Sequence, residues 1–410
     1  MDSRLKSLAV TSMAHFANDG TALLFPVLIT YYVKLPGVPL SYLTIMVVVD
    51  NLISGLLSTP VGRLADSTGA YGKLIALGIT LLGISSLIFA LPFIFLHAVF
   101  PLILAGAVFL GAGQAFYHPL GATILRSTFE GRSSPRAMGV NGSFGSLGRA
   151  IVPSLLVFLM TFVGESVGLI IYSGYSFAMA LLLYLGLREF EVVRKKPTNA
   201  GKYRNSVDRE TLGAILPFVY TLTAAVFVRS LFLAGTSTIV PTFLDLEYNS
   251  QTQMATVLTI AYLLPVIGQP IFGSLTARKG GRYTVVATFI LSTIFFGLFL
   301  LFSHQIVGTV IFLSLYAFAA FSGFPVFLGY VGQVVPSEIS GISNALVWGV
   351  GGTIGGAVGG GAISILLFYR FSPGQTIEIM FIFALVSLAF LPFLPSRKKL
   401  EERSATLTQQ

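Results

Sequence analysis

The sequence predicts an all-α integral membrane protein with twelve transmembrane helices in two pseudo-symmetric six-helix halves. Three observations carry that prediction. The first is composition: 54% of the 410 residues are hydrophobic and only 10% are charged, with a mean hydropathy of +0.85. A soluble domain carries charge at about a quarter of its positions, so this chain cannot cover a water-facing surface. The second is the length of the apolar runs, since a helix needs about 20 mostly apolar residues to cross hydrocarbon. Twelve runs reach that length, at roughly 8–33, 41–65, 73–97, 100–126, 137–162, 166–188, 212–243, 252–276, 283–303, 306–334, 340–368 and 375–395. The third is an internal repeat, taken up below.

The runs divide the chain into an N-terminal six-helix half (1–188), a linker (189–211), a C-terminal six-helix half (212–396) and a tail (397–410). The linker region is the one long polar stretch, with Arg194, Lys195, Lys196, Pro197 and Gly201. Arg4 and Lys6 precede the first run as in a signal peptide, but the run is too long and no small-residue cleavage site closes it, so it reads as an uncleaved span. Lysine and arginine accumulate on the cytoplasmic side of membrane proteins. With both termini inside, all of the 25 basic residues except Lys34, Arg149, Arg229 and Arg370 fall on that side. The formal net charge of +9 is therefore a topology signal. A nucleic-acid interface needs basic residues gathered on one folded face, and here they are scattered between spans. The chain has no cysteine, which excludes disulfides, thiolate metal sites and cysteine catalysis.

The two halves repeat. Gly62–Gly69, "GRLADSTG", follows the second span and Gly273–Gly280, "GSLTARKG", follows the eighth. "GSFGSLG" from Gly142 in the fifth span matches "GVGGTIG" from Gly349 in the eleventh, and Pro119 has a counterpart in Pro325. Two related six-span halves joined by a basic loop describe a secondary transporter with its site near the midplane, between the halves.

At these residues the chain resembles the major facilitator superfamily, whose signature lies in the loop between spans two and three. Gly62, Leu64, Asp66 and Gly69 match it, followed by Lys73. The resemblance implies a latch that holds the cytoplasmic side closed. Gly62 and Gly69 would provide the turn, because glycine takes positive φ at little cost. Asp66 would face a helix N-terminus or an arginine of the other half. Ser67 stands where a basic residue is usual, and Ala277 replaces the acid of the second copy, so the second latch is expected to be weakened or lost. A narrower resemblance lies in His15–Gly20, "HFANDG", and Gly111–Pro119, "GAGQAFYHP". These are similar to the fosmidomycin-resistance branch, exporters of a small phosphonate antibiotic and related compounds, although Leu120 stands where that branch carries an acid.

Charged groups at mid-bilayer cost about 2.5–3.5 kcal/mol each on insertion scales, so those present should pair or face water. Asp19 falls near the middle of span one, Asp50 in the outer half of span two, His118 in the inner half of span four, Arg149 near the middle of span five and Arg229 slightly past the middle of span seven. Arg149 and Arg229, one in each half, suit an anionic substrate held by guanidinium forks. Asp19 is the candidate carrier of a coupling proton, and His118 a relay or a direct ligand. Equally, Asp19–Arg149 and Asp50–Arg229, or the reverse, are candidates for static ion pairs. Asn18, Gln114 and Gln269 either line the cavity or bond between helices. His15, four residues before Asp19, shares its helix face. In span eleven Gly351, Gly355 and Gly359, and likewise Gly352, Gly356 and Gly360, form small-residue stripes expected to slide against span two or to pack statically. No Gly-Lys-Ser/Thr follows a strand, so the glycines are no phosphate loop, and no cofactor is expected.

These residues predict proton-coupled export of a small organic compound, an anion among the candidates, by alternating access. The alternative is a proton symporter importing an organic or inorganic anion. A polytopic enzyme would need clustered acid/base groups at the membrane surface, and the acidic residues are single and scattered. The expected partners are a small-molecule substrate, a proton and the lipid bilayer, for a monomer in the plasma membrane.

Overall fold

The computed structural model describes residues 2–129, 133–190, 209–335, 343–344 and 346–395. Most of the linker, with Arg194, Lys195 and Lys196, and the tail 397–410 lie outside the described residues, as does Arg132. Among the described residues all regular structure is helical. The helices are α1 Ser3–Gly20, α2 Leu24–Tyr32, α3 Leu40–Thr68, α4 Tyr71–Ala90, α5 Val99–Gln114, α6 Tyr117–Thr128, α7 Ser133–Val163, α8 Glu165–Leu187, α9 Arg209–Tyr248, α10 Gln251–Lys279, α11 Gly281–Phe302, α12 Ile306–Ala320, α13 Gly323–Val334, α14 Gly355–Phe368 and α15 Pro373–Leu388. A π-helical segment, Leu346–Ile354, leads into α14.

Among the described residues ten helical stretches are long and apolar enough to cross a membrane. The predicted span 100–126 is interrupted at Ala115–Phe116, and the predicted spans 8–33 and 306–334 are broken. A 3-10 turn at Thr21–Leu23 separates α1 from α2, and Phe321–Ser322 separates α12 from α13. Each resulting piece is short, or in α1 is diluted by Ser7, Thr11, His15, Asn18 and Asp19. The outer surface is apolar: Phe162, Phe368, Leu56 and Leu301 are 71–75% exposed, the pattern of a surface facing acyl chains.

Local chemistry sets the helix ends. Pro39 precedes α3, and Gly69 closes it at φ 72°. Ser372 and Gln375 form a capping box around Pro373 at the start of α15. Gly62, by contrast, lies inside α3 and outside the positive-φ region. Of the two signature glycines, Gly69 alone makes the turn, because the helix runs through Gly62 to Thr68. In the second copy Gly280 turns at φ 90°. There the Gln333 side chain accepts from the Gly281 N–H at 2.7 Å and donates to the Thr276 carbonyl at 3.0 Å. That turn is thus held by an amide rather than by the missing acid.

The glycine stripes also differ from expectation. Gly351, Gly355 and Gly359 face the backbone of α9 at Thr223, Phe227 and Leu231, not α3. Stripes one residue apart point about 100° apart around a helix, so they meet different neighbours. Contact with α3 falls on Gly360, against Val48, and on Ser364, which donates to the Thr44 hydroxyl at 2.9 Å. Lys34 and Asp245, 3.3 Å apart, tie the same side of the molecule, away from the N-terminus. Helix α7 lies along α10, where Gln269 donates to Ser146 at 2.7 Å and Thr259 to the Ala150 carbonyl at 2.8 Å. Gln269 is therefore an interhelical bond.

The backbones of α1 and α7 approach closely. A Cβ on Gly148 would strike the Phe16 carbonyl, and one on Gly20 would strike Val152. Gly148→Ala is expected to push these helices apart and destabilise the protein by about 1–3 kcal/mol, the usual cost of overpacking. Gly361, which has open space around it, provides the control: Gly361→Ala should be neutral or stabilise by about 0.5–1 kcal/mol. Thermal unfolding in detergent reads both.

Candidate functional site

The close approach of α1 to α7 brings Arg149 onto Asp19. Three elements converge there. Helix α1 presents His15, Asn18 and Asp19 one turn apart. Helix α7 presents Asn141 and Arg149, two turns apart on one face. Helix α6 presents Tyr117 and His118 in its first turn. Helix α5 ends at Gln114 and α6 begins at Tyr117. Pro119 stands in the first turn of α6, where its missing amide hydrogen leaves no helical bond unmade, and the neighbouring His118 reaches Asp19.

Asp19 is 3% exposed, and four groups surround its carboxylate. Oδ2 meets Arg149 Nη2 and His15 Nε2 at 3.2 Å. Oδ1 meets His118 Nε2 at 3.2 Å and accepts from Asn18 Nδ2 at 3.0 Å. The pair with Arg149 is charge-assisted. His15 Nδ1 lies 2.8 Å from Asn141 Oδ1, which also faces the Tyr117 hydroxyl at 2.9 Å. Gln114 reaches Thr21 Oγ1 at 3.4 Å, and Thr21 donates to the Asn18 carbonyl at 2.6 Å, which braces the end of α1. The site opens at two points. The His118 side chain is 56% exposed and that of Arg149 21%. Phe321, at the break between α12 and α13, lies 6.0 Å from the Arg149 guanidinium carbon and packs on Tyr262, so the cluster is faced from the C-terminal part of the chain by aromatic rings.

Asp19, Asn18, His118 and Arg149 thus come together. Asp50 and Arg229 join neither the cluster nor each other. Asp50 is buried in α3 with Oδ1 unpartnered, its carbonyl pressed against Gly111. Arg229 is 2% exposed and bonds Ser292 Oγ at 2.8 Å, with the Thr288 and Ala320 carbonyls at 3.5 Å. Its charge lies over the Phe289 ring at 4.4 Å. A buried cation without a carboxylate costs several kcal/mol. Arg229→Met should therefore equal or exceed the native unfolding temperature. A marked fall in stability would instead make the guanidinium a structural bond.

Leu64 and Asp66 of the loop signature are exposed. Asp66 accepts from the Tyr71 hydroxyl at 2.5 Å, in place of the expected helix terminus or arginine, because Tyr71 is the nearest donor once Gly69 reverses the chain. Sequence reasoning did not assign His15, Tyr117 or Asn141 to the site. Asn141 carried a signal, an amide in an apolar helix eight residues before Arg149 and so on its face.

The Major Facilitator Superfamily matches the chain over residues 8–360 and 222–409. A curated relative, the uncharacterized MFS-type transporter YfnC of Bacillus subtilis (strain 168), is 23% identical over 401 residues, which is 96% of this chain and 94% of the relative. Among solved structures, a bacterial homologue of the human lysosomal transporter Spinster, inward-facing and unoccupied, superposes with a TM-score of 0.72 at 14% identity, covering 98% of both chains. The peptide transporter POT in complex with sulfate gives 0.71 at 13% identity over 95% of both. These structures share the fold. With its sequence matched over most of its length, the chain belongs to the Major Facilitator Superfamily and is a membrane transporter rather than an enzyme.

Proposed function

We propose that this transporter moves a small organic solute against a proton gradient by alternating access, exporting it in exchange for protons, with Asp19 as the coupling carboxyl. The observation that carries this reading is one buried carboxylate met by Arg149, His15, His118 and Asn18 beside an exposed imidazole. A solute that presents hydrogen-bond donors competes with a proton for the same two oxygens, and that competition is what exchange requires. The likeness of His15–Gly20 and Gly111–Pro119 to the fosmidomycin-resistance branch supports the outward direction. We read α1–α2 and α12–α13 as the remaining two crossings of a twelve-span, two-half bundle, monomeric in the plasma membrane with both ends cytoplasmic. The Lys34–Asp245 and Thr44–Ser364 ties would open in the alternate state.

One observation favours a second reading. Arg149 holds Asp19, so an anion that takes Arg149 leaves a bare carboxylate for a proton to neutralise. Anion and proton then travel together, which is symport. A thermal-shift screen of phosphonates, carboxylates, sugars and organic cations on purified protein, followed by counterflow with each hit, separates the two. Exchange predicts hits whose affinity falls as protons are added. Symport predicts anions whose affinity rises with protons and is weakened by Arg149→Lys, where a point charge replaces a fork. Ligands indifferent to both would remove Asp19 from coupling.

A further inference from the structure

The contacts of His15 determine where its hydrogens lie. Asn141 Oδ1, 2.8 Å from His15 Nδ1, is an amide oxygen and can only accept. Nδ1 therefore carries a hydrogen, and in the neutral ring Nε2 turns a lone pair toward Asp19 Oδ2, 3.2 Å away. Two lone pairs face each other there, an arrangement that a small cation between them satisfies. His118 Nε2 stands 3.2 Å from the other carboxylate oxygen, and one donor atom from each of His15, Asp19 and His118 lies within 4.8 Å of the others. Ligand bonds of about 2.0–2.1 Å at tetrahedral angles separate donor atoms by about 3.3 Å. Each imidazole nitrogen lies 3.2 Å from its own carboxylate oxygen, so one ring has a small shift to make for both to share an ion on a single oxygen. The second shell fits as well: ligating histidines donate their other ring hydrogen to a fixed acceptor, as His15 does to Asn141, itself held by Tyr117. The exposed flank of His118 leaves the fourth position open to water.

We propose that His15 Nε2, His118 Nε2 and Asp19 form a binding site for a divalent first-row transition-metal ion of the zinc or cobalt type, which suits two imidazoles and one carboxylate. Arg149 opposes it. Its guanidinium occupies Asp19 Oδ2 and repels a second cation, so metal and arginine compete for one carboxylate.

The background is small, because the chain has four histidines and no cysteine. The test is calorimetric titration of purified, tag-free protein with Zn2+, together with the visible spectrum of the Co2+ complex. The expected result is one ion per chain and a four-coordinate cobalt spectrum. Affinity should fall roughly 100-fold or more in His15→Gln and His118→Gln, since second-shell losses alone cost 10–100-fold, and should be unchanged in His97→Gln and His304→Gln. Arg149→Gln should tighten binding about tenfold or more by removing a nearby positive charge. A water-like six-coordinate cobalt spectrum in the native protein, which needs no variant to fold, would overturn the site. So would equal Zn2+ affinity in His15→Gln and His118→Gln. Neither measurement involves a gradient or a solute, so the outcome is independent of proton coupling.

Discussion

Asp19→Asn should abolish proton-driven transport, lowering it at least about tenfold, while counterflow of the same solute remains measurable. The amide keeps the size of the carboxyl and still offers an oxygen to Arg149 and His118, so the pocket and the switching helices persist. It can neither hold a proton nor balance the guanidinium, so the step that ties solute to proton disappears. Proteoliposomes with and without an imposed pH gradient make the measurement. Driven transport equal to the native rate would take Asp19 out of the coupling role and leave it as a structural partner of Arg149.

Arg149→Ala is expected to have the second largest effect, on stability as well as transport. Breaking a buried ion pair costs about 3–5 kcal/mol, because the remaining charge stays buried without its partner. The cost should fall at or below the lower end of that range, since His15, His118 and Asn18 remain on Asp19 and Arg149 is partly exposed. Adding Asp19→Asn to Arg149→Ala should recover part of the lost stability, because the double variant leaves no unpaired carboxylate. Thermal unfolding of the two single variants and the double variant gives the coupling directly. Additive losses would mean that the pair contributes no mutual stabilisation.

Position along a span was legible in the sequence, and direction around a helix relative to other helices was not. Counting inward from the span ends put Asp19 and Arg149 at similar depth, and they do meet. The same count made Asp50 and Arg229 candidates for a pair, yet each faces its own neighbours, Asp50 toward Gly111 and Arg229 toward Ser292 and Phe289. Azimuth depends on which helices pack together, and that follows from small residues such as Gly148 and Gly20, whose partners no single-sequence period identifies. The glycine stripe of span eleven met α9 for the same reason. Within one helix, direction was readable: His15 and Asp19 at four residues, and Asn141 and Arg149 at eight, do share faces. The breaks in α1–α2 and α12–α13 escaped the length rule because it counts apolar residues and not hydrogen-bond continuity. The α5–α6 break inside the predicted span 100–126 escaped it as well, and proline is no guide to such breaks here, since Pro60, Pro153, Pro217, Pro241, Pro265 and Pro270 lie inside helices.

The central claim is that a proton gradient drives the solute outward through the Asp19 cluster. Uptake of a screened ligand into inverted membrane vesicles tests it most directly. The account predicts uptake when the vesicles are acid inside, its collapse on adding a protonophore, and its absence in Asp19→Asn. Uptake that ignores the gradient, or that appears only with the gradient reversed, would contradict it.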